Sequence, residues 1–137
     1  MTSKEYLSQI RNKQAVIDIK LRELEYWRQL STRVTAVKCD GMPHNPNRPT
    51  EAPFVACIAK IDELERDVSA KIVELSNLWT EVTAAIDALK NEKERLLLRY
   101  RYLDGSSWNK IEQSLNVSER TAFRIHETAL QNFNVPK

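Results

Sequence analysis

Arg120 and Arg124 stand four residues apart in the segment SERTAFRIHETAL, residues 118–130. Four residues is close to one helical turn, so on a helix both guanidiniums project from one face. A guanidinium is a rigid planar fork of donors that matches the paired acceptors of a guanine edge. On the same helix Ala122, Ile125 and Ala129 share a packed side, where the two small residues allow close approach, and Arg120, Thr121, Phe123 and Arg124 point away from it. A helix packed by one side and presenting arginines near its start fits the major groove of duplex DNA. Lys110, His126 and the pair Arg99 and Arg101 are suited to phosphates, which fix register without reading sequence. Short three-helix units with surface arginines also occur in proteins that never touch nucleic acid, so the spacing alone leaves both readings open.

The elements that must position these residues are marked in the sequence. Residues 95–130 contain three short apolar-periodic runs divided by Asp104-Gly105-Ser106-Ser107 and by Asn116-Val117-Ser118. Gly105 supplies the positive φ that closes a helix, a serine at 106 or 107 caps the next, and Ser118 caps the last. Asn116 tolerates the left-handed conformation nearly as well as glycine. Leu97, Leu98 and Tyr102 then share the inner face of the first helix, Trp108, Ile111 and Leu115 that of the second, and Ala122, Ile125 and Ala129 that of the third.

Ser118 to Leu130 resembles the recognition helix of region 4 of bacterial sigma factors, and LLLRYRYLDGSSWNKI resembles the helix and turn before it. As a whole the chain looks most like small phage-encoded sigma-region-4-like regulators grouped with the late-transcription activators RinA and ArpU. Those proteins share an opening similar to KEYLSQIR, a helical middle, an interruption rich in proline or serine, and a C-terminal helix-turn-helix. The resemblance is specific only in the last third. It implies binding near promoters in a phage or prophage, with Glu119, Arg120, Phe123 and Arg124 facing DNA. The candidate DNA-binding set is thus Ser118, Glu119, Arg120, Thr121, Phe123, Arg124, Lys110 and His126. Two positions depart from the family pattern. Glu112 replaces a small alanine and must turn its carboxylate to solvent or pair with an arginine, and Asn116 replaces the glycine of the turn.

The N-terminal two-thirds has a different periodicity. Leu7, Ile10, Gln14, Ile17, Leu21 and Leu24 alternate by threes and fours, a heptad seam with one polar interruption. Ile58, Ile61, Leu64 and Val68 lead into Ile72, Leu75, Trp79, Val82, Ile86 and Leu89 on a similar spacing. Two long helices are expected, from about Ser3 to Val37 and from about Pro53 to Asn91, with Pro53 suited to a first helical turn. The segment 39–53 carries four prolines (Pro43, Pro46, Pro49, Pro53) and cannot be helical; it reads as a surface connector that lets the chain reverse. The expected fold is all-α: a long antiparallel, coiled-coil-like hairpin over residues 1–91 for oligomerisation or docking, then a three-helix helix-turn-helix unit over 92–137. Two helices make a poor core. Self-association, with a dimer favoured, is one remedy, and Tyr26, Trp27, Leu78 and Trp79 offer extra apolar surface for it; closure of the seam against the C-terminal helices is the other.

Composition narrows the class. The 137 residues hold only two glycines, few for a β-rich fold. Residues 1–89 carry 12 Lys or Arg against 13 Asp or Glu, a net of −1, while residues 90–137 carry 9 against 6, a net of +3. The positive excess sits at the arginine-bearing end, and it is modest enough that salt would erode nonspecific attraction quickly. No segment reaches the ~20 apolar residues of a membrane helix, and MTSKEYLSQIRNK has no signal-peptide core, so a cytoplasmic protein is expected. In that compartment Cys39 and Cys57 stay as free thiols. With His44 they lack the close C-x-x-C pairing of structural zinc, so no metal site is expected. There is no glycine-rich phosphate loop, no nucleophile-elbow pattern and no imidazole beyond His44 and His126, so neither an enzyme nor a cofactor is expected.

The functional expectation is a DNA-binding transcription regulator that activates near promoters, with duplex DNA, RNA polymerase and a second copy of itself as partners. Two rivals remain. Small terminase subunits of phages also join a helix-turn-helix to an oligomerising part, although there the DNA-binding module commonly comes first in the chain. The other rival is a polymerase-binding module without DNA binding.

Overall fold

Apolar residues alternating by threes and fours produce two long helices, α1 (Ser3–Lys38) and α2 (Glu51–Asp87). The structure, a computed structural model, describes residues 1–38 and 51–136. After α2 come α3 (Glu92–Leu98), a π-helical turn (Arg99–Leu103), α4 (Trp108–Leu115) and α5 (Glu119–Asn132). No strand occurs among the described residues, and the all-α architecture of a helical hairpin followed by a helix-turn-helix is as expected. The proline-rich connector lies outside the described residues, except that the backbone of 51–53 already belongs to α2. The second helix ends at Asp87, not near Asn91, because Asn91 takes an extended conformation (φ −88°, ψ 123°) and caps α3.

Contacts divide the chain into two compact units, Val16–Val73 and Met1–Ala15 with Glu74–Lys137. In the first, α1 and α2 run antiparallel. Ile17 and Leu24 are buried on one strand of the hairpin, and Cys57, Leu64 and Val68 on the other. Lys20 Nζ lies 2.6 Å from Asp67 and Arg28 lies 2.9 Å from Glu65, so number rises along one helix as it falls along the other. Exposed pairs of this sort contribute little to stability and mainly fix register. The apolar seam therefore supplies most of this unit's stability.

That seam differs from expectation at five positions. Gln14 is exposed, and Leu21, Ile58, Ile72 and Trp79 are 43, 46, 48 and 40% exposed. The shielded positions on α1 run Ile10, Lys13, Ile17, Lys20, Leu24, Trp27, Ser31 and Val34, a heptad pattern in which Lys13 and Lys20 occupy inward sites. Their long apolar stems can line a seam while the ammonium groups reach Glu74 and Asp67. On α2 the series runs Cys57, Ile61, Leu64, Val68, Lys71, Leu75, Leu78 and Val82, which puts Leu78 inside and Trp79 outside. The expected stripe lies one position off where Lys13, Lys20, Lys71 or Cys57 fills a seam site, and where Leu78 is taken inside in place of Trp79.

The second unit has the larger core. Tyr6, Leu7 and Ile10 of α1 meet Leu78, Val82, Ile86 and Leu89, together with Leu97, Leu98, Tyr102, Ile111, Ala129 and Phe133. Six of these side chains, Leu7, Val82, Ile86, Leu97, Leu98 and Ile111, are fully buried. Burial on that scale contributes ~1.5–3 kcal/mol for each large aliphatic group. The Tyr6 and Phe133 rings lie 6.0 Å apart between centroids, tying the first turns of α1 to the end of the chain. In this unit the seam closes against the C-terminal helices. Cys57, in the other unit, is a buried free thiol, and Cys39 and His44 lie outside the described residues.

Candidate nucleic-acid interface

The turn between α4 and α5 is built by three polar residues. Ser107 caps α4, its Oγ accepting from the Lys110 N–H at 3.3 Å. Asn116 ends the helix in the left-handed conformation (φ 55°, ψ 49°), and the Val117 N–H then reaches back to the Glu112 carbonyl at 3.1 Å. Ser118 starts α5, accepting from the Thr121 N–H at 3.3 Å and donating to Thr121 Oγ1 at 2.9 Å. Upstream, Gly105 has φ +70°. Arg11 fills the space beside it: a Cβ there would lie 3.0 Å from Nη2, and Nη1 donates to the Arg101 carbonyl at 3.3 Å.

The π-helical turn was not legible beforehand. Its widened backbone lets the Asp104 N–H bond to the Arg99 carbonyl at 2.9 Å and the Ser106 N–H to that of Tyr100 at 2.8 Å. This places Arg101 over the Trp108 ring, 4.8 Å from its centroid, while donating to the Ser106 carbonyl at 3.2 Å. Trp108 in turn packs against Phe123 at 4.6 Å and His126 at 5.0 Å. A cation, an indole, a phenyl and an imidazole thus join the π turn, α4 and α5.

Along α5 the faces separate. Ala122 and Ala129 are fully buried, and Ile125 and His126 are half-buried. Glu119, Arg120, Phe123 and Arg124 are exposed, as is Ser118; Thr121 is half-buried behind its cap. Phe123 remains 44% exposed even with Trp108 against it. Among the described residues neither Arg120, Arg124 nor Lys110 enters an ion pair, whereas Arg99 is held by Asp87 at 3.1 Å. The His126 ring turns inward: its Nε2 and the Tyr102 hydroxyl share a 2.8 Å hydrogen bond. Burial, with the nearby charges of Lys4 and Arg101, holds its pKa down to about 4, so it is uncharged at neutral pH. Glu112 is half-buried and makes no ion pair among the described residues, while its neighbour Ile111 is fully buried.

A cleft of about 280 Å³ opens between the start of α3 and α5, lined by Asn91, Lys93, Glu94, Thr121, Arg124 and Thr128. Asn91 Oδ1 accepts from the Lys93 and Glu94 N–H groups at 2.9 and 3.4 Å, which fixes the first turn of α3. The buried Glu94 carboxylate accepts from Asn132 Nδ2 at 3.3 Å through either oxygen. Lys93 and Arg124 therefore flank one depression. In the sequence Asn91 three residues before Glu94 marks the capped start of α3, while the cleft itself comes from the packing of α3 against α5.

Among the described residues no group of three His, Cys, Asp or Glu side chains is arranged to hold a metal ion, and no helix is long and apolar enough to cross a membrane. Comparison with curated proteins returns no match, and neither does comparison with solved structures. A family model does match, over residues 29–134. That span covers the last ten residues of α1, all of α2 and the whole helix-turn-helix, more than half of the chain, so the chain belongs to the family of proteins of unknown function DUF1492.

Proposed function

We propose that this chain is a phage-type transcription regulator that binds duplex DNA through α5 and acts near promoters. One observation carries the reading: α5 is locked by its buried alanines while Arg120 and Arg124 stand exposed on the other side and enter no ion pair among the described residues. Unpaired arginines on a rigid helix are pre-organised for a groove, since no intramolecular salt bridge has to break first. In this reading the N-terminal turns of α5 enter the major groove, Arg124 meets a base edge, and Arg120, Lys110 and Lys93 lie toward phosphates. Phe123 offers an apolar edge to a thymine methyl. His126 acts from behind, holding α5 through Tyr102 and Trp108. The resemblance to sigma-factor region 4 supports the promoter-proximal site and RNA polymerase as second partner. A dimer would present two such helices to two half-sites.

The test is to crosslink the protein to DNA in cells carrying the phage or prophage and sequence what is retained, with the Arg120→Ala, Arg124→Ala double variant alongside. The expected result is a peak upstream of an operon that the double variant loses. A peak at packaging genes away from any promoter would turn the reading toward genome packaging, and no peak for the unaltered protein would defeat it.

A further inference from the structure

Lys4 and Arg11 of α1 and Arg101 of the π-helical turn gather beside the helix-turn-helix, and none of them enters an ion pair among the described residues. Lys4 and Arg11 are two helical turns apart, so they share one face of α1, with Ser8 between them, and both are exposed. The adjoining face carries Tyr6, Leu7 and Ile10 into the core of the same unit, which holds this part of α1 in place. Arg11 Nη1 donates to the Arg101 carbonyl at 3.3 Å, and Nη2 comes so near Gly105 that a Cβ there would meet it at 3.0 Å. Arg101 lies over Trp108, which packs against Phe123 and His126 of α5. Lys4 is close enough to His126 for its charge to add to the effect of burial in keeping that ring unprotonated. The cations and rings thus form one surface from α1 to Phe123, which lies three residues from Arg120 on the exposed face of α5.

Like charges held together cost free energy unless an opposite charge answers them. Elsewhere in this unit Asp87 answers Arg99, and Glu74 answers Lys13. Glu5, next to Lys4 in the chain, instead accepts from the Thr2 N–H at 3.0 Å, and the turn between Leu103 and Trp108 contains one acid, Asp104. We propose that Lys4 and Arg11 belong to the DNA interface and hold backbone phosphates beside the groove that α5 enters. The contact rests on the DNA-binding reading above and extends it to α1. Duplex DNA fits better than an acidic protein because the cations are continuous, through Arg101, Trp108 and Phe123, with the face that carries Arg120 and Arg124. Along α1 the two cations stand about 10 Å apart, roughly three nucleotides of rise on one strand, so each meets a phosphate of its own. Such contacts read no bases; they fix the register of α5 and add affinity for every sequence alike.

Salt titration of the full-length protein on a mixed-sequence duplex tests this. Lys4→Gln and Arg11→Gln should each make the fall of log affinity with log salt shallower by about 1, and together by about 2, for each protomer engaged. Arg11→Lys keeps the charge and should keep the slope, which separates charge from packing. Lys4→Gln, at an exposed position, should leave the melting temperature unchanged. The base preference of the double variant should match that of the unaltered protein, unlike that of Arg124→Ala. A double variant with an unaltered slope would overturn the proposal while leaving α5 as the reading helix. A slope that Arg11→Lys flattens as much as Arg11→Gln would also overturn it, by making Arg11 a packing residue. Loss of binding to polyglutamate with duplex binding intact would overturn it in favour of an acidic protein surface. An unaltered protein that retains no duplex at low salt would remove this contact and the DNA-binding reading together.

Discussion

Arg124 and His126 sit two residues apart on α5 with opposite surroundings, and each carries its own prediction. Arg124 is exposed at the rim of a cleft it shares with Lys93. If it meets a base edge, Arg124→Ala should weaken specific DNA binding by about 1–3 kcal/mol and relax preference at one base position, whereas Lys110→Ala should weaken all sequences alike. Competition binding with single-base operator variants separates the two; equal losses on every variant would remove Arg124 from base reading. His126, turned inward on Tyr102, makes stability depend on pH. Its folded pKa of about 4 lies below the ordinary value of 6.5, so the unfolded chain takes up the proton first. Stability from this group is therefore complete above pH ~6.5 and is lost as pH falls toward 4. His126→Gln should flatten the decline between pH 6.5 and 5, where carboxylates still titrate little. Denaturant melts across that range read it out, and a decline unchanged by the substitution would refute the assignment.

At the level of elements, the helix-turn-helix depends on caps and on a tightly filled core. Ser118→Ala removes the acceptor for the Thr121 N–H and should cost about 1 kcal/mol, while Asn116→Gly, at φ 55°, should be tolerated. Ile111 is fully buried, so Ile111→Ala should cost about 2–5 kcal/mol and loosen α4 from its neighbours. Thermal unfolding should show least damage for Asn116→Gly, more for Ser118→Ala and most for Ile111→Ala. These short elements were readable in the sequence because each end is written in local chemistry: Gly105, Ser107, Asn116 and Ser118 all do what their residue types allow. The long seams were read less well. Lys13, Lys20 and Lys71 occupy shielded sites that a polarity pattern assigns to solvent, so Gln14, Leu21 and Ile72 are exposed against expectation, while Cys57 and Leu78 take the inward sites expected for Ile58 and Trp79. The π-helical turn was missed because no residue type marks it; only its backbone bonds from Asp104 and Ser106 reveal it. Of the interface, the arginine face of α5 was legible from four-residue spacing. The inward turn of His126 and the Lys93 side of the cleft were not, because both arise from packing between helices distant in sequence.

For the whole molecule, the charge distribution and the two-unit organisation set what binding must look like. The excess of three positive charges lies in residues 90–137 and is small, so long-range attraction to DNA is weak and contacts must be specific or doubled. With two to four phosphates neutralised per protomer, log affinity should fall with log salt at a slope of about −2 to −4 for each protomer engaged. A slope near zero would mean that DNA is not held through these cations. The claim on which the account turns is that α5 reads duplex DNA, and the most direct measurement is selection of duplexes from a random library by the full-length protein at low salt. The account predicts enrichment of one short motif, disappearing with Arg120→Ala, Arg124→Ala while the melting temperature stays put. Retention of no duplex at any salt, or a motif that survives the double substitution intact, would contradict it.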